Sequence, residues 1–122
     1  QRRREPVPVT PFQAAVVAEA RAWIGTPYVH QASVRGAGAD CLGLVRGVWR
    51  AMVGAEPVAV PPYTPDWGEG PGREVLMGVA CDWLRPAVAP APGDVILFRM
   101  RAGSVAKHLG IATGPDRFVH AY

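Results

Sequence analysis

Two segments in the first half of the chain carry apolar residues at the spacing of an amphipathic helix. In the first, Thr10 can cap a helix and Gln13 can complete a capping box, and Gly25 ends the pattern. One apolar stripe runs along this segment: Phe12, Val16, Ala20 and Trp23. Their spacing places these side chains on a single helical face, and we expect that face to be buried.

The second helical segment begins at Asp40, whose side chain can cap the first turn, and it stops at Gly54. Its apolar face comprises Cys41, Leu44, Val45, Val48 and Met52. Residues 28–39 lie between the two helices, contain two glycines and show no clear period. We expect a loop there.

The second half of the chain changes from irregular to β-rich. Residues 57–72 are dense in Pro and Gly and predict a long irregular excursion, and a short helix is expected around 73–84. Turn residues at 92–94 and 114–116 then separate three predicted strands, 95–100, 108–113 and 117–122. Helices first and an antiparallel meander last predict an α+β domain.

Length and composition restrict the classes of protein that fit. A chain of 122 residues with 49% hydrophobic and 19% charged residues forms one globular domain. With 14 Gly and 13 Pro, a plain helical bundle is disfavoured, and no apolar run is long enough to span a membrane. Two cysteines do not make a disulfide scaffold, and no close-spaced Cys or His pair begins a zinc site. We therefore expect no metal and no cofactor.

The charge pattern is mild and gives no sign of a nucleic-acid partner. The net charge is +3, and the only basic cluster, residues 2–4, has no aromatic residues interleaved with it. We interpret residues 1–9 as a solvated or docking arm and 10–122 as one domain. No secretory signal is visible at the start.

Cys41, His108 and His120 are the residues on which catalysis could depend. A cysteine in the first turn of a helix faces unsatisfied backbone N–H groups, which predicts a lowered thiol pKa; the alternative is a buried structural cysteine. The midpoint of 108 and 120 is 114, so a hairpin centred on Gly114 would set both rings side by side on one face. One imidazole could exchange a proton with the cysteine, while the other holds the first imidazole in the correct tautomer. The alternative is two histidines at a sheet edge.

Five short motifs appear in order along the chain: Gly25-Thr26-Pro27-Tyr28, Asp40-Cys41-Leu42-Gly43-Leu44-Val45, Pro92-Gly93-Asp94-Val95, His108-Leu109-Gly110-Ile111 and Phe118-Val119-His120-Ala121. Together they resemble the NlpC-type papain-like peptidases of the bacterial cell wall, from about Phe12 to Tyr122. Because the sheet of that family usually continues further, the resemblance implies that the domain over 10–122 lacks its C-terminal end. The extended Gly-Thr-Pro-Tyr-Val-His-Gln segment and Leu42 look like the branch found in phage tails and gene-transfer particles.

The resemblance implies a papain-like α+β fold and a cysteine endopeptidase that cuts peptidoglycan stem peptides, typically at the γ-D-glutamyl to diamino-acid bond. Cys41 matches the nucleophile, His108 the general base and then acid, and His120 the polar residue that orients His108. Tyr28 matches a tyrosine whose hydroxyl lies near the nucleophile and helps to bind the oxyanion. The backbone N–H of Cys41 is the other expected donor.

The resemblance also implies partners and a location. We expect stem peptides as substrate, tail-tip proteins of a phage-like particle as partners, synthesis in the cytoplasm and action in the periplasm or cell wall. Two alternatives stay open: a structural tail-tip subunit that no longer cuts, and an amidase or acyltransferase on the same fold. Many members carry Ser directly after the cysteine, where this chain has Leu42. Many also carry a glycine pair soon after the tyrosine, where this chain has His30, Gln31 and Ala32.

Four other side chains receive structural interpretations. Trp23 and Trp49 are candidates for the core, and Asp94 is expected to cap backbone N–H groups of its turn. His30 is interpreted as a groove-wall or solvated loop residue rather than a catalyst.

Overall fold

The computed structural model describes residues 9–57, 84, 91–99 and 106–121. Within these residues two helices and five strands occur in the order α1 (Pro11–Ala22), β1 (Ser33–Val34), β2 (Gly38–Ala39), α2 (Cys41–Met52), β3 (Val95–Arg99), β4 (Ala106–Gly114) and β5 (Arg117–Val119). The predicted helix around 73–84 and nearly all of the 57–72 excursion lie outside the described residues, as do residues 1–8 of the predicted arm. Helices precede an antiparallel sheet, so the domain is α+β as expected.

The capping box of α1 forms as predicted. Thr10 Oγ1 accepts a hydrogen bond from Gln13 N at 3.1 Å, and Gln13 Oε1 accepts one from Thr10 N at 2.8 Å. The later members of the apolar stripe are buried in the core, but Phe12 is 57% exposed, so the prediction was wrong for that residue. Phe12 lies in the first turn of α1, where Gln13, on a different face, is the residue that lies against the turn at Gly93.

The main core joins α1, α2 and β4. Its buried residues are Val16, Ala20, Trp23, Ala39, Leu44, Val48 and Ile111. Gly47 on α2 lets the Trp23 ring pack closely against this helix, because a Cβ on Gly47 would lie 2.1 Å from the ring. Trp49, by contrast, is only half-buried and donates its indole N–H to Ala55 O at 3.1 Å, so it is not the core residue that we expected.

The segment 28–39, predicted as a loop, contains a small hairpin. β1 and β2 pair antiparallel, and Tyr28 forms a parallel bridge with Ala39. Val29 N donates to Ala39 O at 3.1 Å, and Ala39 N donates to Pro27 O at 3.0 Å. Strands of two residues are too short to show an alternating pattern, which is why no period is visible here.

The three-stranded sheet has the order β3-β4-β5 and is antiparallel throughout, as predicted for a meander. β5 ends at Val119, before the predicted end of the strand. The register pairs Ile111 with Val119, so the hairpin centres on Pro115, and a bulge lies between Ala112 and Gly114. The turn before β3 is capped as expected, because Ala91 N donates to Asp94 Oδ2 at 2.9 Å.

A second, smaller cluster brings the start of α2 to the sheet. Leu42 and Leu109 are buried against each other, and four partly buried residues pack on them: Cys41, Val45, Val95 and Leu97. Burying each leucine contributes about 1.5–3 kcal/mol. Leu42 therefore uses its side chain to dock the first turn of α2 on β4. Among the described residues, no helix has the length and apolar character needed to cross a membrane.

Candidate active site

Asp40 fixes the start of α2. Its carboxylate is 2% exposed, and both oxygens accept backbone hydrogen bonds at 2.7 Å, Oδ1 from Gly43 N and Oδ2 from Gln31 N. The first bond is the N-cap that the sequence predicted. The second bond was not foreseen, and it ties the preceding loop to the helix. Cys41 follows as the first residue of α2, half-buried and with a free thiol.

The thiol of Cys41 does not have the lowered pKa that its helix position predicted. Burial raises the pKa of Cys41, and the charge of Asp40 raises it further. Backbone N–H groups of Leu109, Leu42 and Cys41 act in the opposite direction, as expected at a helix start, but burial outweighs them. Cys41 is therefore a protonated thiol at neutral pH, and a neighbouring base must remove its proton before it becomes a strong nucleophile.

His108 lies on β4 and is 8% exposed. Burial lowers the pKa of His108, and the nearby His120 lowers it further, so the ring is neutral at pH 7. Its ring lies 5.6 Å, centroid to centroid, from that of Phe98, its partner on β3. A neutral imidazole is the form that accepts a proton from a thiol.

His120 directly follows β5, is exposed, and contacts His108 through their ring nitrogens. The distance from His108 Nε2 to His120 Nδ1 is 2.8 Å, within hydrogen-bond reach. The sequence placed the two residues directly opposite each other. Because the hairpin centres on Pro115, the continued register sets His120 opposite Gly110 instead, so the rings meet diagonally. A shift by two residues preserves the face of the sheet, which is why the rings still meet.

Cys41 and His108 belong to different elements that meet at β4. Cys41 packs on the pair of Leu42 and Leu109, and the backbone N–H of Leu109 acts to lower the pKa of its thiol, so the cysteine lies close to the residue that follows His108. The packing of Leu42 on Leu109 holds this arrangement in place. The catalytic roles of Cys41, His108 and His120 stay predictions.

Tyr28 lies beside β2, on the edge opposite β1. β2 ends at Ala39, directly before Asp40 and Cys41. Tyr28 is 50% exposed, and its backbone bridges Ala39. The pKa of Tyr28 is raised by burial and by the charges of Asp40 and Cys41, so its hydroxyl is protonated and is a hydrogen-bond donor at neutral pH. The role of Tyr28 as an oxyanion donor stays a prediction.

The loop of His30, Gln31 and Ala32 is pressed against the first turn of α2. Ala32 O accepts from Asp40 N at 3.3 Å, and it also lies where a Cβ on Gly43 would have to be, only 1.8 Å away. Gln31 has φ +65°, a left-handed conformation that costs a non-glycine residue roughly 1–2 kcal/mol. Nothing in the sequence signalled this conformation, because glutamine rarely adopts it.

His30 is half-buried in the same loop. Its Nδ1 lies 3.8 Å from Asp40 Oδ2, and its Nε2 lies 3.2 Å from Gln31 Nε2. His30, interpreted as a groove-wall or solvated loop residue rather than a catalyst, thus lies in a loop beside the carboxylate of Asp40, and that interpretation stays a prediction. In the part of the chain that the structure describes, no group of three or more Cys, His, Asp or Glu side chains is arranged to hold a metal ion.

A cavity of about 250 Å³ opens beside His120, between the end of α1 and β5. Trp23, Thr26 and Phe118 contribute to its lining. The cavity leaves one side of the His120 ring accessible, whereas His108 is covered.

Comparison with known proteins agrees with the motif order. The model of the NlpC/P60 family matches residues 25–122. The chain is also 34% identical over 109 residues to the gamma-DL-glutamyl hydrolase of Bacillus subtilis strain 168, a match that covers 87% of this chain and 22% of that protein. The chain thus spans about a fifth of the length of that relative. With most of its length matched, the chain belongs to the NlpC/P60 family of papain-like α+β domains.

Proposed function

We propose that this domain is a cysteine endopeptidase that hydrolyses peptide bonds in peptidoglycan stem peptides. The observation that carries the proposal is the contact of His108 Nε2 with His120 Nδ1 at 2.8 Å, one residue before Leu109 in the cluster on which Cys41 packs. A thiol, a neutral buried imidazole and a second imidazole that orients it are the groups required for acyl transfer through sulfur.

The two ring nitrogens of His108 have different tasks. The two nitrogens His108 Nε2 and His120 Nδ1 are 2.8 Å apart, and we assign the proton to His108 Nε2, which donates to His120 Nδ1 and leaves Nδ1 of His108 as the base. His108 takes the thiol proton as the Cys41 sulfur attacks the carbonyl carbon, and the imidazolium then gives that proton to the leaving amine. Water, deprotonated by the same imidazole, hydrolyses the resulting thioester and restores the thiol. The raised pKa of Cys41 makes this proton transfer part of the reaction, since no preformed thiolate is favoured at rest.

Two donors support the oxyanion in this proposal. The backbone N–H of Cys41 lies at the start of α2, where the helix leaves N–H groups without intrahelical acceptors. The Tyr28 hydroxyl, protonated because its pKa is raised, is the second. Both act on charge that develops only in the transition state, which is where such donors accelerate the reaction.

The bond that we propose is cut is the γ-D-glutamyl to diamino-acid amide. Two lines support it: the motif resemblance to wall peptidases, and the similarity to a protein named for hydrolysis of γ-linked glutamyl bonds. We further propose that the domain acts as part of a phage-like tail tip that opens the wall locally. That part rests on the segment 25–31 and on Leu42, and it requires the protein to copurify with tail particles; its absence from purified particles would refute it.

The decisive test is Cys41→Ala with purified peptidoglycan as substrate. We expect the wild-type protein to release stem-peptide fragments cut after the γ-D-glutamyl residue, and the variant to release none while keeping its thermal unfolding midpoint. Mass spectrometry of the products separates the alternatives, because an amidase would cut at the sugar–peptide link and a structural subunit would release nothing. Equal release by the variant would refute a cysteine mechanism.

A further inference from the structure

A set of side-chain hydrogen bonds joins the first turn of α2 to the hairpin of β1 and β2, and the proposed mechanism does not use it. Ser33, the first residue of β1, donates its hydroxyl to Gly43 O at 2.6 Å, two residues after Cys41. The N–H of the same glycine donates to Asp40 Oδ1 at 2.7 Å. Both backbone polar groups of Gly43 are therefore bonded to side chains that lie outside α2.

Arg50, in the last turn of α2, fixes the direction of the Ser33 hydroxyl. Its Nη2 lies 2.8 Å from Ser33 Oγ and 2.6 Å from Ser33 O. A guanidinium group can only donate, so the hydroxyl oxygen accepts from Arg50 and the hydroxyl hydrogen is left for Gly43 O. Through Ser33, the last turn of α2 is thereby connected to the first.

Glu56, just beyond α2, holds the guanidinium group of Arg50 in place. Its Oε2 accepts from Arg50 Nη1 at 3.1 Å, and its Oε1 accepts from Arg46 Nε. The hydrogen bond from Arg46, together with that from Arg50, lowers the pKa of Glu56, so the carboxylate is charged at neutral pH. The side chain of Arg50 is 39% exposed, and exposed ion pairs contribute little to stability. We therefore look for the role of this network in the position that it gives to Ser33.

The first turn of α2 carries the sulfur and one backbone N–H on which the proposed reaction depends, both from Cys41. The packing of Leu42 on Leu109 fastens this turn to β4, and the Ser33 hydroxyl fastens it to the hairpin. We propose that Ser33 and Arg50 are positioning residues that hold the first turn of α2 in the orientation that Cys41 needs for attack. This inference rests on the proposed function. Misplacing a reacting group by about 1 Å can cost on the order of 10²-fold in rate, so a second point of attachment has a measurable effect.

Steady-state hydrolysis of a soluble stem peptide tests the role of the Ser33 hydroxyl. Ser33→Ala should lower kcat about tenfold and leave KM within about twofold, because it disturbs the placement of the nucleophile and not the binding of substrate. Ser33→Thr keeps a hydroxyl and suits a strand, so kcat should stay within about threefold of the wild type. Rates are measured well below the unfolding midpoint of each variant, where a loss of stability alone leaves kcat unchanged. An unchanged kcat in Ser33→Ala, or equal losses in both variants, would overturn the inference.

Arg50→Met removes the guanidinium group and keeps an unbranched side chain, and it should lower kcat about threefold. Because Arg50 acts through the Ser33 hydroxyl, the same substitution should have a smaller effect in a Ser33→Ala background; full additivity would contradict this role of Arg50. Arg35→Met is the matched control, since it removes an ion pair with Glu19 from the turn of the same hairpin. An equal fall of kcat in the control would show that any loosening of the hairpin slows the reaction, and would overturn the assignment to Ser33 and Arg50.

Alkylation of Cys41 separates this inference from the proposed function, because it needs no peptide substrate. Backbone N–H groups at the start of α2 act to lower the pKa of the Cys41 thiol, so loosening this turn should raise that pKa. Ser33→Ala should therefore react with iodoacetamide about threefold more slowly than the wild type at about pH 8, as followed on the Cys41 peptide by mass spectrometry. If the wild type releases no stem peptide, slower alkylation of the variant supports the positioning role while the proposed function fails. An unchanged or faster rate would overturn the inference.

Discussion

The two halves of the candidate site are held in different ways. On the cysteine side, a single buried carboxylate binds both the helix and the loop before it, through two bonds of 2.7 Å between residues close in sequence. On the histidine side, the key contact joins β4 to a residue just beyond β5, and it depends on a bulged register. The cysteine is therefore positioned by local structure, and the histidines are positioned by strand pairing. The two sides should therefore respond to mutation separately.

The largest effect is expected on the histidine side. Replacing His108 with Ala removes the proposed base, and we expect kcat/KM for stem-peptide hydrolysis to fall by about 10²–10⁴-fold. Folding should be affected far less than activity, as judged by thermal unfolding. The matched change His120→Gln keeps a hydrogen-bonding group beside His108 Nε2 and should cost less activity.

The pH profile sharpens this prediction. His108 must be neutral to act, and its pKa lies below the ordinary 6.5, so activity should persist below pH 6.5 and be lost as the pH falls through the lowered pKa. His120→Gln removes one of the two causes of that lowering, so the acid limb of kcat/KM should move to higher pH. An acid limb that does not move in this variant would contradict the assigned pairing.

The cysteine side should be disrupted by a substitution that forces the backbones of the loop and of α2 apart. In Gly43→Ala, the new Cβ would lie 1.8 Å from Ala32 O, a backbone atom that cannot rotate away. We expect a loss of about 3 kcal/mol in unfolding free energy, the upper end for overpacking, because the loop and helix must separate. Activity should fall with it, since Cys41 is two residues away. Denaturant unfolding measures the first effect.

Gly114→Ala is the control for that substitution on the histidine side. A Cβ at Gly114 meets no atom within 4 Å, so the free energy of unfolding should change by less than about 1 kcal/mol. Equal destabilisation by the two substitutions would show that the close approach of Ala32 to α2 is not what holds the cysteine side together.

The smallest effect is expected from the charge of Asp40. In Asp40→Asn the cap is kept, since Asn also caps helices, but the charge that raises the pKa of Cys41 is removed. The rate of thiol alkylation should therefore reach its midpoint at a lower pH than in the wild type. Loss of the acceptor for Gln31 N should cost roughly 1 kcal/mol of stability.

Asp40→Asn should also change how the free energy of unfolding depends on pH, in a direction that can be predicted. A thiol whose folded pKa is raised contributes stability below its unfolded pKa, near 9.0, and that contribution is lost as the pH rises through the folded value. Asp40→Asn should make this alkaline loss smaller. Glu19→Gln is the control, because that carboxylate bonds Trp23 and Arg35 away from the cysteine. A shift in alkylation midpoint in the control would show a nonspecific effect.

Much of the local structure could be predicted from the sequence. The capping box at Thr10, the cap at Asp40 and the capped turn at Asp94 depend on residues within a few positions of each other, and all three form. The α+β order follows from periodicity, which changes once along the chain. The short hairpin over 33–39 was not predicted, because strands of two residues show no period.

What the sequence determined by itself was the identity of the reactive groups and the start of the helix that carries Cys41, because capping and helical periodicity act over a few neighbouring residues. Tertiary structure decided the rest. Burial, which no single residue encodes, raised the pKa of Cys41 against the helix N–H groups. The bulge beyond Ala112 set the diagonal meeting of His108 with His120. Asp40 forced Gln31 into a left-handed backbone, because hydrogen bonds between segments outweigh local preference when the acceptor is buried.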